Sequence, residues 1–457
     1  MKILVLNSGS SSLKSSLYDF TGANAPVTAA SNAAAPAAQP LMLPPAGPPD
    51  PAWQGEIEWS GADAQIKIST ASGAKSKQQV KVASREEATQ QLLATLWTGA
   101  TRVISSAKEI NVVGHRVVNG GPEHREPALL DSKVIATIQH AAAFAPLHNQ
   151  AELDGIAIAQ KLIPAASQVA VFDTGFHRTL AAAAYVYPGP YDWLAKGIRR
   201  YGFHGINHGY IAERAPQILQ RDARNLLMVS CHLGNGCSLA AIRDGRSVDT
   251  TMGFTPLEGL MMGTRSGSVD PGILTYLATQ EKQTGEQLDT LLNKKSGLLG
   301  IAGFSGDMRE IIEEMKASGA NAPAGAKSPN SASTLPASAL PVDAGDKTAR
   351  AQLAFDMFIH RLRREIGSMI AVLGGLDALV FTAGIGENSA DVRAAACEAF
   401  AYTGVRLDAT KNVGLGLKGD GSADADIAAG DSGVRVLVIA AQEDWIIARD
   451  CFRIAQT

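Results

Sequence analysis

Lys2-Ile3-Leu4-Val5-Leu6-Asn7-Ser8-Gly9-Ser10-Ser11-Ser12-Leu13-Lys14, continuing through Ser15 to Phe20, sets out the pattern that decides the fold. A short apolar run, Ile3–Leu6, ends in small polar residues, and Leu13–Phe20 can return beside it as a hairpin partner. The same order recurs further along the chain. Leu226–Ser230 runs into Cys231-His232-Leu233-Gly234-Asn235-Gly236, and Ser238–Ile242 follows. Asp244-Gly245 is a turn signal, after which Ser247–Thr251 can form a third strand. Each half also carries a later strand that ends in a small-residue turn. Val169–Phe172 leads into Asp173-Thr174-Gly175, and Ala378–Phe381 into Thr382-Ala383-Gly384. Between these two, Ala354, Phe358, Leu362, Ile366, Ile370 and Leu373 space an amphipathic helix over 351–373, closed by Gly374-Gly375. Two similar α/β halves are therefore expected, with the ligand in a cleft between them.

The composition agrees. A chain of 457 residues exceeds one comfortable core, so two domains are expected. Apolar residues at 46% and charged residues at 19% fit a soluble globular enzyme. A net charge of −3 gives no basic footprint and argues against a nucleic-acid partner. Cys231, Cys237, Cys397 and Cys451 form no CxxC pair, which suits a reducing cytoplasm. The N-terminal apolar run is too short for a signal peptide, and no stretch approaches the roughly 20 apolar residues of a membrane span. Residues 22–52 and 317–345 are rich in Ala, Pro, Gly, Ser and Asn and read as mobile surface loops, not as domain boundaries.

Three turns are candidate phosphate sites, each after an apolar strand: Asn7–Lys14, His232–Gly236 and Thr382–Asn388. Small residues let backbone amides approach an anion, and Lys14 adds a cation. Gly234 and Gly236 can take positive φ and form an anion nest, although the same residues also suit an ordinary hairpin. Thr382-Ala383-Gly384-Ile385-Gly386-Glu387-Asn388 is expected to open a helix at Ser389 whose N-terminus favours phosphate. Two arginines lie beside glycines, Arg116 in Gly114–Gly121 and Arg265 in Met262–Gly267, each expected where a strand yields to a turn. Their forked guanidinium groups suit carboxylate and phosphate oxygens. His204 and His208 are four apart, but Gly202, Gly205 and Gly209 speak against the helix that a zinc pair would require. Pro146-Leu147-His148-Asn149 holds one more histidine. Asp173 and Glu443, at strand ends, are candidate Mg²⁺ ligands.

In this order the motifs MKILVLNSGSSSLK, VGHRVVNGG, FAPLHN, VFDTGFH, RRYGFHGINH, HLGNG, TPLEGLMMGTRSG, SGDMRE and FTAGIGEN resemble the acetate kinase family. The resemblance covers nearly the whole chain outside 22–52 and 317–345, which look like insertions. It implies two duplicated ribonuclease-H-like domains of the actin-like ATPase class, related to sugar kinases and Hsp70, with an active-site cleft between domains. It places the first domain at 1–174, completed by a C-terminal helix at about 441–457, and the second at 175–440.

The implied reaction is reversible in-line transfer of the ATP γ-phosphoryl group to acetate, giving acetyl phosphate and ADP. By similarity, Arg116 and Arg265 flank the acetate carboxylate and the migrating group, while His204 and Asn235 stabilise its equatorial oxygens. Asp173 and Glu443, with Asn7, hold Mg²⁺, for which Mn²⁺ can substitute. Lys14, Ser10, Ser12, His232, Gly234, Asn235 and Gly236 face the ATP phosphates. Asp307, Met308, Arg309 and the turn Gly384, Ile385, Gly386, Glu387 and Asn388 hold the adenosine. Val118, Leu147, Phe203 and Pro256 enclose the acetate methyl, and His148 lines the site. The family also implies a cytoplasmic homodimer. Four positions depart from the family pattern: Asn119 for His, Gly175 for Ala, Ser268 for Asp, and Asp444 where a second Glu is common. A propionate or butyrate kinase is the nearest alternative, and an actin- or Hsp70-like nucleotide switch without an acyl acceptor is a second.

Overall fold

The computed structural model describes residues 1–9, 12–21, 48–60, 63–141, 146–317, 343, 345–415 and 424–456, with the side chains of residues 60 and 146–149 excepted. Ser10, the side chains of Leu147 and His148, and nearly all of 22–52 and 317–345 therefore lie outside it. The chain forms two compact units, one of Met1–Gly175 with Gln442–Thr457 and one of Phe176–Ala441.

The first unit is built on an eight-stranded sheet in the order β5-β4-β3-β2-β1-β6-β8-β7. Its strands are β1 (Lys2–Ser8), β2 (Ser12–Asp19), β3 (Trp53–Ser60), β4 (Asp63–Thr70), β5 (Lys75–Lys81), β6 (Ile110–Val117), β7 (Ala128–Leu129) and β8 (Ser167–Phe172). The expected hairpin forms: β1 pairs with β2 antiparallel, with Asn7 opposite Lys14 and Ser8 opposite Leu13. β3 to β5 extend it as an antiparallel meander. On β3, Trp53, Gly55 and Ile57 are buried while Gln54 and Glu58 are exposed, the alternation of a sheet with one covered face. On the other side, β1, β6 and β8 run parallel, and their apolar runs are buried almost throughout.

The helix Glu443–Ile454 returns the chain terminus to this sheet. Phe20 stacks on Trp445 and Phe452 at centroid distances of 5.7 and 4.6 Å. A Cβ on Gly114 of β6 would come within 2.5 Å of Cys451 Sγ and 2.8 Å of Ile447. Helix and sheet can approach this closely only because Gly114 has no side chain.

The second unit holds a six-stranded sheet in the order β11-β10-β9-β12-β14-β13. Its strands are β9 (Leu227–Leu233), β10 (Cys237–Arg243), β11 (Arg246–Thr250), β12 (Ala378–Thr382), β13 (Ala425–Asp426) and β14 (Arg435–Val438). β9 to β11 form an antiparallel meander. Asp244 and Gly245 both take positive φ between β10 and β11, as a tight twisted hairpin demands. β12 runs parallel to β9 and β14. The helix Lys347–Leu373 packs across β9 to β11. It starts on the Asp346 cap and ends at Gly374, whose φ is 73°. Ala354, Phe358, Leu362, Ile366 and Leu373 are buried as their spacing predicts, but Met369 is buried where Ile370 was expected.

Candidate active site

In the first unit, three adjacent parallel strands end together, and each carries a polar residue. Asn7 is at the end of β1, Arg116 is the penultimate residue of β6, and Asp173 follows β8. The carboxyl ends of parallel strands, where the pleat stops and backbone groups are freed, are the usual ligand edge of an α/β sheet. The amide of Asp173 stays on the ladder, donating to Val117 O at 2.8 Å, so its side chain is aimed by the strand. Asp173 is 1% exposed and accepts from Arg116 Nη2 at 2.8 Å. Glu443 opens the terminal helix, with its carboxylate 4.0 Å from Arg116 Nε. Burial alone would lower the Arg116 pKa, but Asp173, Glu443 and Glu152 outweigh it and hold the guanidinium charge firmly. Burial pushes the Glu443 carboxyl up to about 6, with Asp173 and Asp444 adding to the shift and Arg116 and Lys14 opposing it. Asp444 accepts from Ser16 Oγ at 2.6 Å, which ties this departure from the family pattern to β2.

Glu152, which the sequence reading did not single out, belongs to the same cluster. It stands on the helix Pro146–Leu162, is buried, and takes the Val118 amide on both oxygens at 3.0 and 3.1 Å. Burial pushes its carboxyl up to about 8, against the amide contacts and the Arg116 charge. The one sequence signal was its place four residues after His148. Val118 is buried, and Asn119 Oδ1 accepts the Gly121 amide at 2.8 Å, closing the turn after β6. Ser12 is half-buried, whereas Lys14 is exposed on β2.

In the second unit, the β9–β10 connection Gly234-Asn235-Gly236 is closed by Gly234 N donating to Gly236 O at 3.0 Å. Neither glycine takes positive φ, so the expected left-handed nest does not form. What matters at Gly236 is closeness. A Cβ there would lie 3.3 Å from His204 Nε2 and 3.7 Å from Arg265 Nη1, so imidazole and guanidinium converge on one small turn.

His204 is not followed by a glycine loop. The helix Gly205–Leu219 begins directly after it, with His204 in the left-handed region at φ 54°. Gly205 and Gly209 lie inside this helix, contrary to expectation. Tertiary packing overrides their poor propensity, since Ile206, Tyr210, Ile211 and Ala215 are all buried. His204 stacks on His232 at 3.9 Å between centroids and 10° between planes. His232 Nδ1 accepts from Asn207 Nδ2 at 2.9 Å. His208 is buried between two serine hydroxyls, Ser230 and Ser238. His177 bridges Ser247 Oγ and Phe203 O, fixing the backbone of the buried Phe203.

Arg265 lies in an irregular segment, not at a strand end as expected. Its Nη1 donates to Pro256 O at 3.1 Å. The segment is pinned at both ends. Arg200 donates to the carbonyls of Thr250, Thr251 and Met252 and pairs with Glu258 at 2.7 Å, while Ser268 exchanges hydrogen bonds with the Gly259 backbone. Ser268 thus anchors the segment through the main chain.

A cleft of about 960 Å³ lies beside the turn, lined by Gly234, Asn235, Asp307, Met308, Arg309, Gly384, Ile385 and Asn388 among others. Its lining gathers most of the residues expected to hold the nucleotide. Asp307 and Arg309 pair with each other at its edge. The Gly384–Asn388 segment is a short helix, Ala383–Asn388, not an open turn; Ser389 caps the next helix, as expected. Gly386 and Glu387 support it and do not line the cleft. Their carbonyls accept from the buried Arg393, and Glu387 Oε1 accepts the Ala441 amide.

Asp173, Glu443 and Asn7 are all hard oxygen donors. Among the described residues no three His, Cys, Asp or Glu side chains gather into a closed cage. Such a donor set fits Mg²⁺, which keeps several waters and is bound by one or two carboxylates together with substrate phosphates.

An acetokinase family profile matches residues 2–328 and 339–449, breaking inside the second Ala/Pro-rich stretch. The acetate kinase of Gloeobacter violaceus is 50% identical over 456 residues, covering 99% of both chains. That of a Cyanothece species is 47% identical, covering 100% of this chain and 99% of the other. Among solved structures, Porphyromonas gingivalis acetate kinase matches with TM-score 0.80 at 35% identity, covering 99% of each chain. A Francisella tularensis propionate kinase matches with TM-score 0.78 at 32% identity, covering 98% of each.

Proposed function

The chain belongs to the acetokinase family, and from that premise we propose how its own residues carry out ATP-dependent phosphorylation of acetate. The fold is the two-domain, two-sheet α/β architecture of actin-like ATPases. Acetate, like a Glu side chain of pKa roughly 4.3, is already ionised at neutral pH, so the acceptor requires no general base. One carboxylate oxygen bonds to the γ-phosphorus as the bond from that phosphorus to the β-phosphate oxygen breaks. ADP leaves with the electron pair, and no proton moves. Catalysis is then positioning and charge neutralisation.

Arg116 and Arg265 hold the acetate carboxylate and the migrating phosphoryl group. His204 and Asn235 donate to its equatorial oxygens. The cleft beside Gly234 takes the adenosine. Asp173, Glu443 and Asn7 hold Mg²⁺, which supplies charge neutralisation on phosphate oxygens when bound. Val118, Leu147, Phe203 and Pro256 meet the acetate methyl. The observation that carries this reading is the convergence of His204 Nε2 and the Arg265 guanidinium beside Gly236. Incubation with ATP, Mg²⁺, acetate and hydroxylamine should yield acetohydroxamate. Its absence, with ATP intact, overturns the reading.

Propionate is the second reading, favoured by the likeness to a propionate kinase. One methylene in an apolar pocket is worth only about 1–3 kcal/mol, so both acids are expected to react, acetate better. A cytoplasmic homodimer completes the proposal. The four described cysteines are buried free thiols, and no described helix is long and apolar enough to cross a membrane. The helix Pro271–Gln280 buries none of its own residues and exposes Ile273 and Tyr276, a face suited to a second copy. Sedimentation of wild type and Tyr276→Glu tests it: a dimer that the variant dissociates is expected, and a monomeric wild type refutes it.

A further inference from the structure

Ser238 Oγ lies 2.8 Å from His204 Nδ1 and 2.9 Å from His208 Nε2. The other nitrogen of His208, Nδ1, is 2.9 Å from Ser230 Oγ. Ser230, His208 and Ser238 are fully buried. Among the described residues, neither hydroxyl has a side-chain partner other than these rings.

Each hydroxyl carries one proton, and a neutral imidazole donates from one nitrogen and accepts at the other. Burial holds His208 neutral, with His177 and His232 adding to the effect. The chain can therefore run in two senses. In the first, Ser230 O–H donates to His208 Nδ1, His208 Nε2–H donates to Ser238 Oγ, and Ser238 O–H donates to His204 Nδ1. His204, neutral, then carries its proton on Nε2. In the second sense every bond reverses. His204 Nδ1–H donates to Ser238, and the Ser230 proton is left without an acceptor among the described residues. Buried polar groups are nearly always paired, which selects the first sense.

The surroundings of His204 select it as well. Nε2 is the nitrogen that faces Gly236 and Arg265. His232 stacks on the ring, and His208 lies behind Ser238. A bare Nε2 would present a lone pair to any anion bound there.

We propose that Ser230, His208 and Ser238 form a directional hydrogen-bond chain that fixes His204 as the neutral Nε2–H tautomer, a ready donor that need not take up a proton. The proposal rests on the reading that His204 meets the transferring phosphoryl group. Ser238 and His208 act through His204 and are positioning residues. A ring so held supports turnover equally across the pH range where free imidazole titrates, near 6.5.

Histidine labelled with ¹⁵N in the ring, with His204 assigned by difference from His204→Gln, reports the tautomer in the intact protein at pH 7.5. Protonated Nε2 with bare Nδ1 is expected; the opposite tautomer or an imidazolium overturns the proposal. In kinetics, wild-type kcat should stay level from pH 6 to 8.5. Ser238→Ala should lose several-fold in kcat, mostly toward the alkaline side where the ring is neutral and its tautomer no longer set, with KM for acetate little changed. A Ser238→Ala profile parallel to wild type overturns the proposal. Should that variant fail to fold, Ser230→Ala, one link further from the ring, must show mixed tautomers at His204. A His204→Ala enzyme with wild-type kcat alongside the expected tautomer would refute the role of His204 and leave the chain itself standing.

Discussion

Glu152→Gln is the perturbation whose size follows most directly from the structure. The buried carboxyl titrates at about 8 in the folded chain against an ordinary 4.5. A raised carboxyl pKa means that the folded state binds the proton more tightly than the unfolded state. Stability is therefore undiminished below about pH 4.5, falls as pH rises through the window to about 8, and is lowest above it. Each pH unit in that window costs about 1.4 kcal/mol, so the penalty is about 3 kcal/mol at pH 7 and about 5 kcal/mol above pH 8. Glutamine keeps an oxygen for the Val118 amide and carries no charge, so the pH-dependent part disappears. Any fixed cost of burying its NH₂ group is the same at every pH and cancels in the comparison, as does Glu443, which both proteins retain. Between pH 6 and pH 8.5 the melting temperature of Glu152→Gln should therefore gain on wild type by about 5–10 °C. Circular dichroism melts of the metal-free proteins at the two pH values measure this. A difference that stays constant within about 2 °C would mean that Glu152 is ionised in the folded chain, and the reasoning would fail.

Arg265→Ala should lower turnover roughly 10²–10³-fold, the scale for one preorganised donor, and unchanged kcat with acetate would remove its assigned role. Arg116→Ala should lose activity similarly and also destabilise the first unit by about 3–5 kcal/mol, because it strips the cation from a buried carboxylate; urea melts with an unshifted midpoint would contradict this. Asp173→Asn should raise the Mg²⁺ concentration for half-maximal rate by tenfold or more, and an unchanged titration would take Asp173 out of the metal site. Val118→Ala should improve propionate relative to acetate by about 1–2 kcal/mol in kcat/KM, while Val118→Thr should not; an unchanged ratio would place Val118 away from the acyl group.

The sequence by itself determined those elements whose information is local. Ile3–Leu6 and Leu13–Phe20 fall on the hairpin β1–β2, Ala378–Phe381 on β12, and Asp244-Gly245 on the turn between β10 and β11. Period-two and period-3.6 burial, together with Gly374 in the left-handed region, can be read from a few neighbours without knowing what packs on them. The strand ends at Arg116 and Asp173 were legible for the same reason. Tertiary structure alone decided the remainder. The helix Gly205–Leu219 forms despite its glycines because Ile206, Tyr210 and Ile211 are buried against the rest of the unit. Arg265 sits on no strand, and its course is set by Arg200, which lies far from it in sequence and pairs with Glu258 of the same segment. Glu152 reads as an ordinary helical carboxylate until the fold buries it on the Val118 amide. Ser230, Ser238 and His208 come from two strands and a helix, and no spacing along the chain relates them. A hydrogen-bond chain depends on positions in space to within a few tenths of an ångström, and only long-range packing supplies that.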